Sequence, residues 1–342
     1  MARNDGSGRR PTISDLAREA GVSRSTASRV VSGNGYVASS VKVRVRAAAD
    51  RIGYVPDAVA RSLRHRATRA VGVLISDLRN PFYADVAAAV EQRLRSRGYH
   101  MILANSDGMA DEEEAAATLF QASRVAGVVL APVSGLATRR LIDAGVAVVE
   151  VDRQLAPGEC DAVLVDNETG AFAATSHLLE LGHRRIGLLL GELGWMTATE
   201  RLAGYRAALD RFGLPFDESL VPRSSFSPAE AARVTGELLD KRPDVSAIFA
   251  TSNVLAEGAI AEVQRRGRRI RTDLSLIAFD DVPWMRLMQP PISAVAQPTI
   301  GLGSVAAELL LDRLDGTAGA EPVVRRLETT LILRGSTAPP GA

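Results

Sequence analysis

The chain has 342 residues, of which 46% are hydrophobic and 24% are charged, and its formal net charge at pH 7 is +1. This length suits two or three domains, and the composition argues against a disordered or fibrous protein. The single cysteine, Cys160, excludes a disulfide framework and fits a reducing compartment.

The sequence shows no signal for a membrane or for export. No apolar run reaches the length of about 18 residues that a membrane span needs. Residues 1–10 are polar and lack the apolar core of a signal peptide. We therefore expect a cytoplasmic protein with no membrane partner.

The small net charge conceals an uneven distribution along the chain. Residues 1–70 contain 14 basic and 5 acidic side chains, a local charge of +9. The remainder contains 27 basic and 35 acidic side chains, a charge of −8. A basic segment attached to an acidic body is typical of a protein that binds a polyanion through one module.

The basic segment begins with the pattern of a helix-turn-helix. Thr12 can cap a first helix, with Asp15 three residues on, and Gly21 ends it. Ser23 can cap a second helix after a tight turn, which is the spacing of that motif. The apolar residues of the second helix share one side, and its other side presents Arg24, Ser25, Ser28 and Arg29.

A polar helix face of this kind is merely solvated in most isolated helices. Here the face is short, carries only basic charges and follows a matching first helix, so we interpret it as a recognition helix in the major groove of DNA. A third helix is predicted from Ser39 or Ser40 to Ile52, and Gly53 ends it.

Between the basic segment and the body, Ala58 to Leu63 predict a short helix with Asp57 as its cap, within a hinge and linker over 57–69. A helix of fewer than about 12 residues rarely persists alone, so we expect this one to form when two copies meet on DNA. Leu63 would then be an apolar residue among arginines that can open a base step in the minor groove. The alternative is that Leu63 packs beneath the body.

From Ala70 to Phe279, short β-rich segments alternate with predicted helices. This alternation predicts parallel sheets covered by helices on both faces. One series ends before Asp166 and a second of similar size follows it, which predicts two lobes with a cleft between them. Open sheets bind ligands outside the carboxyl ends of their strands, so the loops there should line the cleft.

Polar side chains follow several of these strands. Carboxylates and amides suit the vicinal hydroxyls of a sugar or nucleoside, because one carboxylate can accept two O–H bonds. Three aromatic residues, Phe82, Phe226 and Trp284, could supply an apolar platform for the ring. Singly, each residue is better explained as a surface charge or core aromatic, but together they predict a pocket. The polar candidates are Asp77, Arg79, Asn80, Asp152, Arg153, Arg201, Asp280, Asp281 and Gln297.

Signals for catalysis are absent from the sequence. There is no phosphate-binding P-loop, no H-E-x-x-H zinc motif and no G-x-S-x-G nucleophile motif. The four histidines lack the spacing of metal ligands, and Cys160 has no evident base beside it. We expect no catalytic residue, no metal and no cofactor.

Several stretches carry a family resemblance from Pro11 to about Leu333. They are Ala20-Gly21-Val22-Ser23, Ser28-Arg29-Val30, Ala58-Val59-Ala60-Arg61-Ser62-Leu63, Asn80-Pro81-Phe82-Tyr83, Val151-Asp152-Arg153, Arg201-Leu202-Ala203-Gly204-Tyr205 and Phe279-Asp280-Asp281. In these stretches the chain resembles the LacI/GalR family of bacterial transcriptional repressors.

The resemblance implies an α/β fold, with an N-terminal helix-turn-helix head and a two-lobed, periplasmic-binding-protein-like core of parallel sheets. The implied parts are a DNA-binding domain at 11–56, a hinge helix and linker at 57–69, an N-terminal core lobe at 70–165 plus 296–325, and a C-terminal core lobe at 166–295 plus 326–338. It also implies a homodimer on a near-palindromic double-stranded operator.

Roles of individual residues follow from the resemblance by position. It implies that Arg24, Ser25 and Arg29 read bases, that Thr26 and Ser28 lie nearer to phosphate, and that Ala60 and Leu63 contact DNA from the hinge helix. It further implies a small-molecule effector, typically a sugar. The implied effector contacts are Phe82, Asp152, Arg201, Phe226, Asn253, Asp280 and Gln297.

The chain departs from the family pattern at three places. Ser252-Asn253 stands where the family usually has Asn-Asp, so one carboxylate is missing there. Ala38 replaces the serine that usually caps the third helix, which should cost about 1 kcal/mol of helix stability unless Ser39 caps instead. The end of the chain has no heptads, so coiled-coil tetramers are not expected.

Taken together, these features predict a repressor whose operator affinity is controlled by an effector. Two alternatives stay open at this point. One is a sugar receptor without a regulatory role, and the other is an α/β enzyme fused to a DNA-binding head.

Overall fold

The protein is described by a computed structural model over residues 11–32, 36–54, 68–191 and 195–341. The chain divides into two compact units, Met1–Thr68 and Arg69–Ala342. The predicted hinge residues Ala60 and Leu63 lie outside the described residues.

The first unit contains the helices α1 (Ile13–Glu19), α2 (Arg24–Ser32) and α3 (Ser39–Ile52). Thr12 caps α1 in a capping box, in which the Asp15 amide donates to Thr12 Oγ1 and Asp15 Oδ2 accepts the Thr12 amide. The Thr26 amide donates to Ser23 Oγ, which caps α2 as predicted. Ala38 is the N-cap of α3 and makes no side-chain cap bond, so Ser39 does not replace the usual serine.

These three helices pack around a small apolar core. Its buried members are Leu16, Ala17, Ala20, Ala27, Val45 and Ala48. Gly53 ends α3 with a φ of 64°, a left-handed conformation that glycine adopts without steric cost.

The second unit is built on two sheets, and we call the part of the chain around each sheet a lobe. The first lobe has six parallel strands in the order β10-β5-β4-β3-β1-β2. Their bounds are β1 (Ala70–Ile75), β2 (His100–Asn105), β3 (Gly127–Leu130), β4 (Ala147–Val151), β5 (Asp161–Val165) and β10 (Val324–Leu327).

The second lobe has five strands in the order β11-β9-β8-β7-β6, all parallel to their neighbours except β11, which is antiparallel to β9. Their bounds are β6 (Ile186–Leu189), β7 (Ala247–Ala250), β8 (Ser275–Phe279), β9 (Ser293–Ala296) and β11 (Thr330–Ile332). Along the described residues the chain passes between the two sheets after β5, after β9 and after β10.

Helices connect the strands within each lobe. The first lobe contains α4 (Pro81–Ser96), α5 (Ala110–Ala122), α6 (Leu136–Asp143) and α12 (Thr299–Asp315). The second contains α7 (Asn167–Glu180), α8 (Met196–Arg211), α9 (Pro228–Lys241), α10 (Asn253–Arg265) and α11 (Pro283–Leu287), with a 3-10 turn at Glu218–Leu220. The predicted fold class, a helix-turn-helix head and a core of parallel sheets, is confirmed.

The strand and helix limits differ from the sequence prediction in two respects. The prediction missed β5, β9, β10 and β11. It passed over β5 and β9 although they are buried and apolar, whereas β10 is largely exposed and carries two arginines, and β11 has only three residues. It also predicted that α7 starts at Thr169 and α10 at Leu255, two residues later than the observed starts. Asp166 and Ser252 cap these helices with their side chains, so each begins directly after its cap and before its first apolar residue.

Along the described ranges, no helix is both long enough and apolar enough to cross a membrane.

Candidate functional site

Helix α2 presents a polar surface on the first unit. Arg24, Ser25 and Arg29 are exposed, whereas Thr26 and Ser28 are half-buried. The hydroxyl of Ser23 lies 2.8 Å from Ser25 Oγ and 2.8 Å from Thr26 Oγ1, so three hydroxyl groups cluster at the start of the helix. Ala27 is buried on the other side of α2. The exposed side therefore combines guanidinium and hydroxyl donors, the groups that hydrogen-bond to base edges and phosphates.

A cavity of about 140 Å³ lies at the carboxyl ends of the strands, between the two lobes. Six of the seven predicted effector residues line it: Phe82, Asp152, Arg201, Phe226, Asp280 and Gln297. The seventh, Asn253, is not among the lining residues and donates hydrogen bonds to Asp280. The other lining residues are Ser76, Asp77, Arg79, Asn80, Tyr83, Asp107, Gly108, Arg153, Trp195, Thr197, Ser252 and Val254.

Asp152 and Asp280 occupy equivalent positions in the two lobes. Asp152 directly follows β4 and Asp280 directly follows β8, and both have a positive φ, 72° and 73°. The amide of each donates to the neighbouring strand, to Val163 O over 3.0 Å and to Val295 O over 2.9 Å. A positive φ is uncommon outside glycine, and aspartate is among the residues that tolerate it. The turn thus places one carboxylate at the cavity from each sheet.

Each carboxylate is held by neighbouring donors. The Tyr83 hydroxyl, from the first turn of α4, donates to Asp152 Oδ2 over 2.8 Å. Asp280 Oδ2 accepts hydrogen bonds from the backbone amide and from Nδ2 of Asn253. Asp280 Oδ1 accepts a hydrogen bond from Gln297 Nε2 over 2.5 Å. Burial raises the pKa of the Tyr83 hydroxyl, so it stays protonated and able to donate.

Gln297 also carries an unused acceptor. Its Oε1 is buried and has no hydrogen-bond partner among the described residues. Leaving a buried polar atom unpaired typically costs about 1–3 kcal/mol. A hydroxyl group of a bound molecule would supply the missing donor.

Arg201 lines the cavity. Its side chain is buried, its Nε donates to Asn167 Oδ1 over 2.9 Å, and its Nη1 donates to the Thr251 carbonyl over 2.5 Å. The guanidinium carbon lies 3.7 Å from the ring centre of Phe279. Burial lowers the pKa of this guanidinium, and the nearby carboxylates of Asp280 and Asp152 oppose that shift. The rigid contacts fix the planar cation beside both carboxylates.

An aromatic wall closes another side of the cavity. The rings of Trp195 and Phe226 are stacked, with centroids 5.1 Å apart and planes at 23°. Gly191 lets Phe226 approach, since a Cβ at position 191 would lie 2.5 Å from the edge of that ring. The Arg153 guanidinium also packs on the Trp195 ring, with its carbon 3.9 Å from the ring centre. This wall can stack on the apolar face of a sugar ring.

The aromatic part of the sequence prediction needs correction. The prediction of Trp284 as part of the platform is wrong, because Trp284 packs against the apolar core of the second lobe. The prediction missed Trp195 and Tyr83 as cavity residues. Trp195 lies in the loop after β6, so the rule that ligands bind beyond the carboxyl ends of strands could have identified it.

Cys160 and His183 lie away from the cavity and have structural surroundings. The pKa of the buried Cys160 thiol is raised by burial to about 12, which keeps it protonated and unreactive. His183 contacts Ser246 Oγ and the Ala338 carbonyl, and so holds the end of the chain on the second lobe. Within the ranges the structure describes, no cluster of three or more His, Cys, Asp or Glu side chains could hold a metal ion.

Two family models match the chain. Residues 12–57 match the model described as bacterial regulatory proteins, lacI family. Residues 175–337 match the model described as a periplasmic binding protein-like domain.

The chain is also similar to individual proteins along nearly its whole length. It is 36% identical to the HTH-type transcriptional regulator CelR of Thermobifida fusca, over 96% of this chain and 98% of that protein.

Solved structures show the same similarity. A complex of the transcriptional regulator CelR with cellobiose is 34% identical, over 96% of this chain and 100% of that one, with a TM-score of 0.74. The lac repressor dimer bound to operator and the anti-inducer ONPF is 26% identical over the same shares of the two chains, with a TM-score of 0.84. The chain therefore belongs to the lacI family of bacterial regulatory proteins.

Proposed function

We propose that a sugar bound in the cavity between the two lobes controls how tightly this regulator holds its operator. The single observation that carries the proposal is the pairing of two carboxylates, Asp152 and Asp280, with the stacked wall of Trp195 and Phe226. Carboxylates accept the O–H groups around a sugar ring, and an aromatic face covers its C–H surface. The relative crystallised with cellobiose supports this ligand class.

The effector contacts we propose are Phe82, Asp152, Arg201, Phe226, Asp280 and Gln297, with Asn253 supporting Asp280 from behind. In this arrangement Gln297 Nε2 donates to Asp280 Oδ1, Gln297 Oε1 accepts a hydroxyl of the ligand, and Arg201 lines the cavity beside the ligand. The ligand is uncharged in this proposal, because the two cations that line the cavity, Arg153 and Arg201, share it with the two carboxylates Asp152 and Asp280.

The DNA contacts we propose lie on α2 and on the hinge segment. Arg24, Ser25 and Arg29 would read base edges, Thr26 and Ser28 would contact phosphates, and Ala60 and Leu63 would enter the minor groove. Support comes from the exposed guanidinium and hydroxyl groups of α2 and from the match of residues 12–57 to the family model.

We further propose that two copies bind a near-palindromic operator as a homodimer. The similar lac repressor was solved as a dimer bound to operator, which supports the dimer. The parts of each copy would be 11–56, 57–69, 70–165 plus 296–325, and 166–295 plus 326–338. A protein that acts on chromosomal operators would work in the cytoplasm, and it would do so by binding, without a catalytic step.

The proposal is tested with the full-length protein in two stages. An operator is first selected from a random pool of double-stranded DNA. Isothermal titration then measures binding of cellobiose, ribose and adenosine, and a gel shift measures operator affinity with and without each compound. We expect one sugar to bind and to change operator affinity by about 5- to 150-fold, the usual range of allosteric coupling. Sugar binding that leaves operator affinity unchanged would favour a receptor without a regulatory role.

A further inference from the structure

Asn253 links the two lobes from a position behind the cavity. Its side-chain nitrogen Nδ2 donates to Asp280 Oδ2 of the second lobe over 2.9 Å and to Asn80 Oδ1 of the first lobe over 3.0 Å. The residue is only 3% exposed. An amide NH₂ group has two hydrogens, so Asn253 can donate one hydrogen bond to each lobe.

The partner in the first lobe has a fixed orientation. Asn80 is the N-cap of α4, and its Oδ1 accepts the amide hydrogen of Phe82 over 3.1 Å. Because that oxygen must face the helix as an acceptor, the group that meets it from the second lobe has to be a donor. Asp280 sets the same requirement on the other side, since its carboxylate can only accept.

The first turn of α4 is thereby connected to both cavity carboxylates. Tyr83 on this turn donates directly to Asp152. Asn80 at its start reaches Asp280 through Asn253. An aspartate at position 253 could not donate to Asn80 Oδ1 or to Asp280 Oδ2, because its side chain carries only acceptors. It would also place a second negative charge next to Asp280.

We propose that Asn253 is a positioning residue that latches the second lobe onto the first turn of α4. The latch favours the closed arrangement of the two lobes and so strengthens binding of the effector. This inference rests on the proposed function, in which a sugar occupies the cavity. It assigns Asn253 a role in closure that does not require it to touch the sugar.

Three substitutions separate the latch from other effects. Asn80→Asp retains an oxygen that caps α4 and accepts from Asn253, so it preserves the latch. Asn80→Ser retains a good N-cap but shortens the side chain, so it removes the latch without the loss of helix stability. Asn, Asp and Ser are about equal as N-caps, which makes this a matched pair. Asn253→Asp replaces the donor itself.

Each full-length variant is measured in two ways. Isothermal titration with the sugar that the wild type binds, cellobiose or ribose, gives affinity, and small-angle X-ray scattering of the ligand-free protein gives compactness. We expect Asn80→Ser and Asn253→Asp to weaken affinity by about tenfold, equivalent to about 1.4 kcal/mol, and to raise the radius of gyration. Because Asn80 itself lines the cavity, the comparison is between its two variants: Asn80→Asp should bind the sugar about tenfold more tightly than Asn80→Ser and give a smaller radius of gyration.

The inference is overturned if Asn80→Ser binds as tightly and scatters as compactly as Asn80→Asp. A loss of affinity confined to Asn253→Asp would also overturn it, because Asn253 would then act through Asp280 alone. If the wild type binds no sugar, the proposed function fails, while the scattering of the three variants still decides whether the latch exists.

Discussion

The guanidinium carbon of Arg153 lies 3.9 Å from the centre of the Trp195 ring. Arg153 follows β4 in the first lobe, whereas Trp195 immediately precedes α8 in the second, so this contact crosses the cavity. Arg153 is itself held by the Pro132 carbonyl over 2.5 Å and by Ser76 Oγ. A rigid cation on one lobe therefore meets an aromatic ring on the other, beside the proposed ligand.

This contact makes Trp195 a natural reporter of ligand binding. The chain contains two tryptophans, Trp195 and Trp284, and Trp284 packs on the second-lobe core. We expect a bound sugar to change the tryptophan fluorescence of the wild type and of Trp284→Phe, but not that of Trp195→Phe. Trp195→Ala should weaken sugar binding about tenfold, because a stacked aromatic wall is lost. A signal that survives in Trp195→Phe would contradict this assignment.

Base reading by α2 is tested with arginine substitutions. Arg24→Ala or Arg29→Ala should each relax discrimination at one operator position by about 1–3 kcal/mol, because a bidentate contact to a base edge is lost. Arg51→Ala is the control, since Arg51 lies at the end of α3 and pairs with Glu19 over 3.0 Å. Competition gel shifts with single-base operator variants provide the measurement. If all three variants discriminate equally among the operator variants, α2 does not read bases.

The fixed geometry of Arg201 predicts that lysine cannot replace it. A single ammonium cannot reach Asn167 Oδ1 and the Thr251 carbonyl while covering the Phe279 ring. We expect Arg201→Lys to lower the free energy of unfolding by about 1–3 kcal/mol and to abolish measurable sugar binding, since buried acceptors lose their donor.

The matched control lies on the same helix. Arg206 is exposed and covers the Phe216 ring at 4.0 Å. Arg206→Lys should change stability by less than about 0.5 kcal/mol, as expected for a surface site. Chemical denaturation and titration calorimetry on both variants provide the comparison, and similar losses in the two would argue against a special role for Arg201.

The buried histidine at the end of the second lobe predicts a pH dependence. Burial lowers the pKa of His183, so the unfolded chain binds a proton more readily than the folded one. Stability from this residue is fully present above the unfolded pKa of about 6.5, and it is lost as the pH falls toward the folded pKa. Between pH 7.5 and 5.5, the thermal midpoint of the wild type should fall more steeply than that of His183→Gln. Parallel pH profiles would contradict this expectation.

The helices of the first unit and the buried strands could be predicted from local signals. Thr12 and Ser23 cap their helices in the way their spacing indicates, and the apolar runs after Ala70 form the strands of the first sheet. The strands β10 and β11 could not be predicted, because β10 is largely polar, β11 has only three residues, and pairing with β5 and β9 defines them.

The cavity was predictable in part. Asp152 and Asp280 directly follow apolar strand segments, so the rule for the carboxyl ends of parallel strands identifies them without coordinates. That rule selects Asp280 and Asp281 alike, and only the family resemblance singled out Asp280. Asp280 lines the cavity, whereas Asp281 pairs with Arg286 and Arg334 away from it.

By itself, the sequence determined that a basic helix-turn-helix precedes a two-lobed α/β core, because capping, periodicity and charge act over a few neighbouring residues. Only the tertiary structure decided that Trp195 rather than Trp284 forms the cavity wall, and that Asn253 joins Asn80 to Asp280. These contacts join residues 27 to 173 positions apart. Which distant side chains meet depends on how the two sheets pack, and no local pattern encodes that distance.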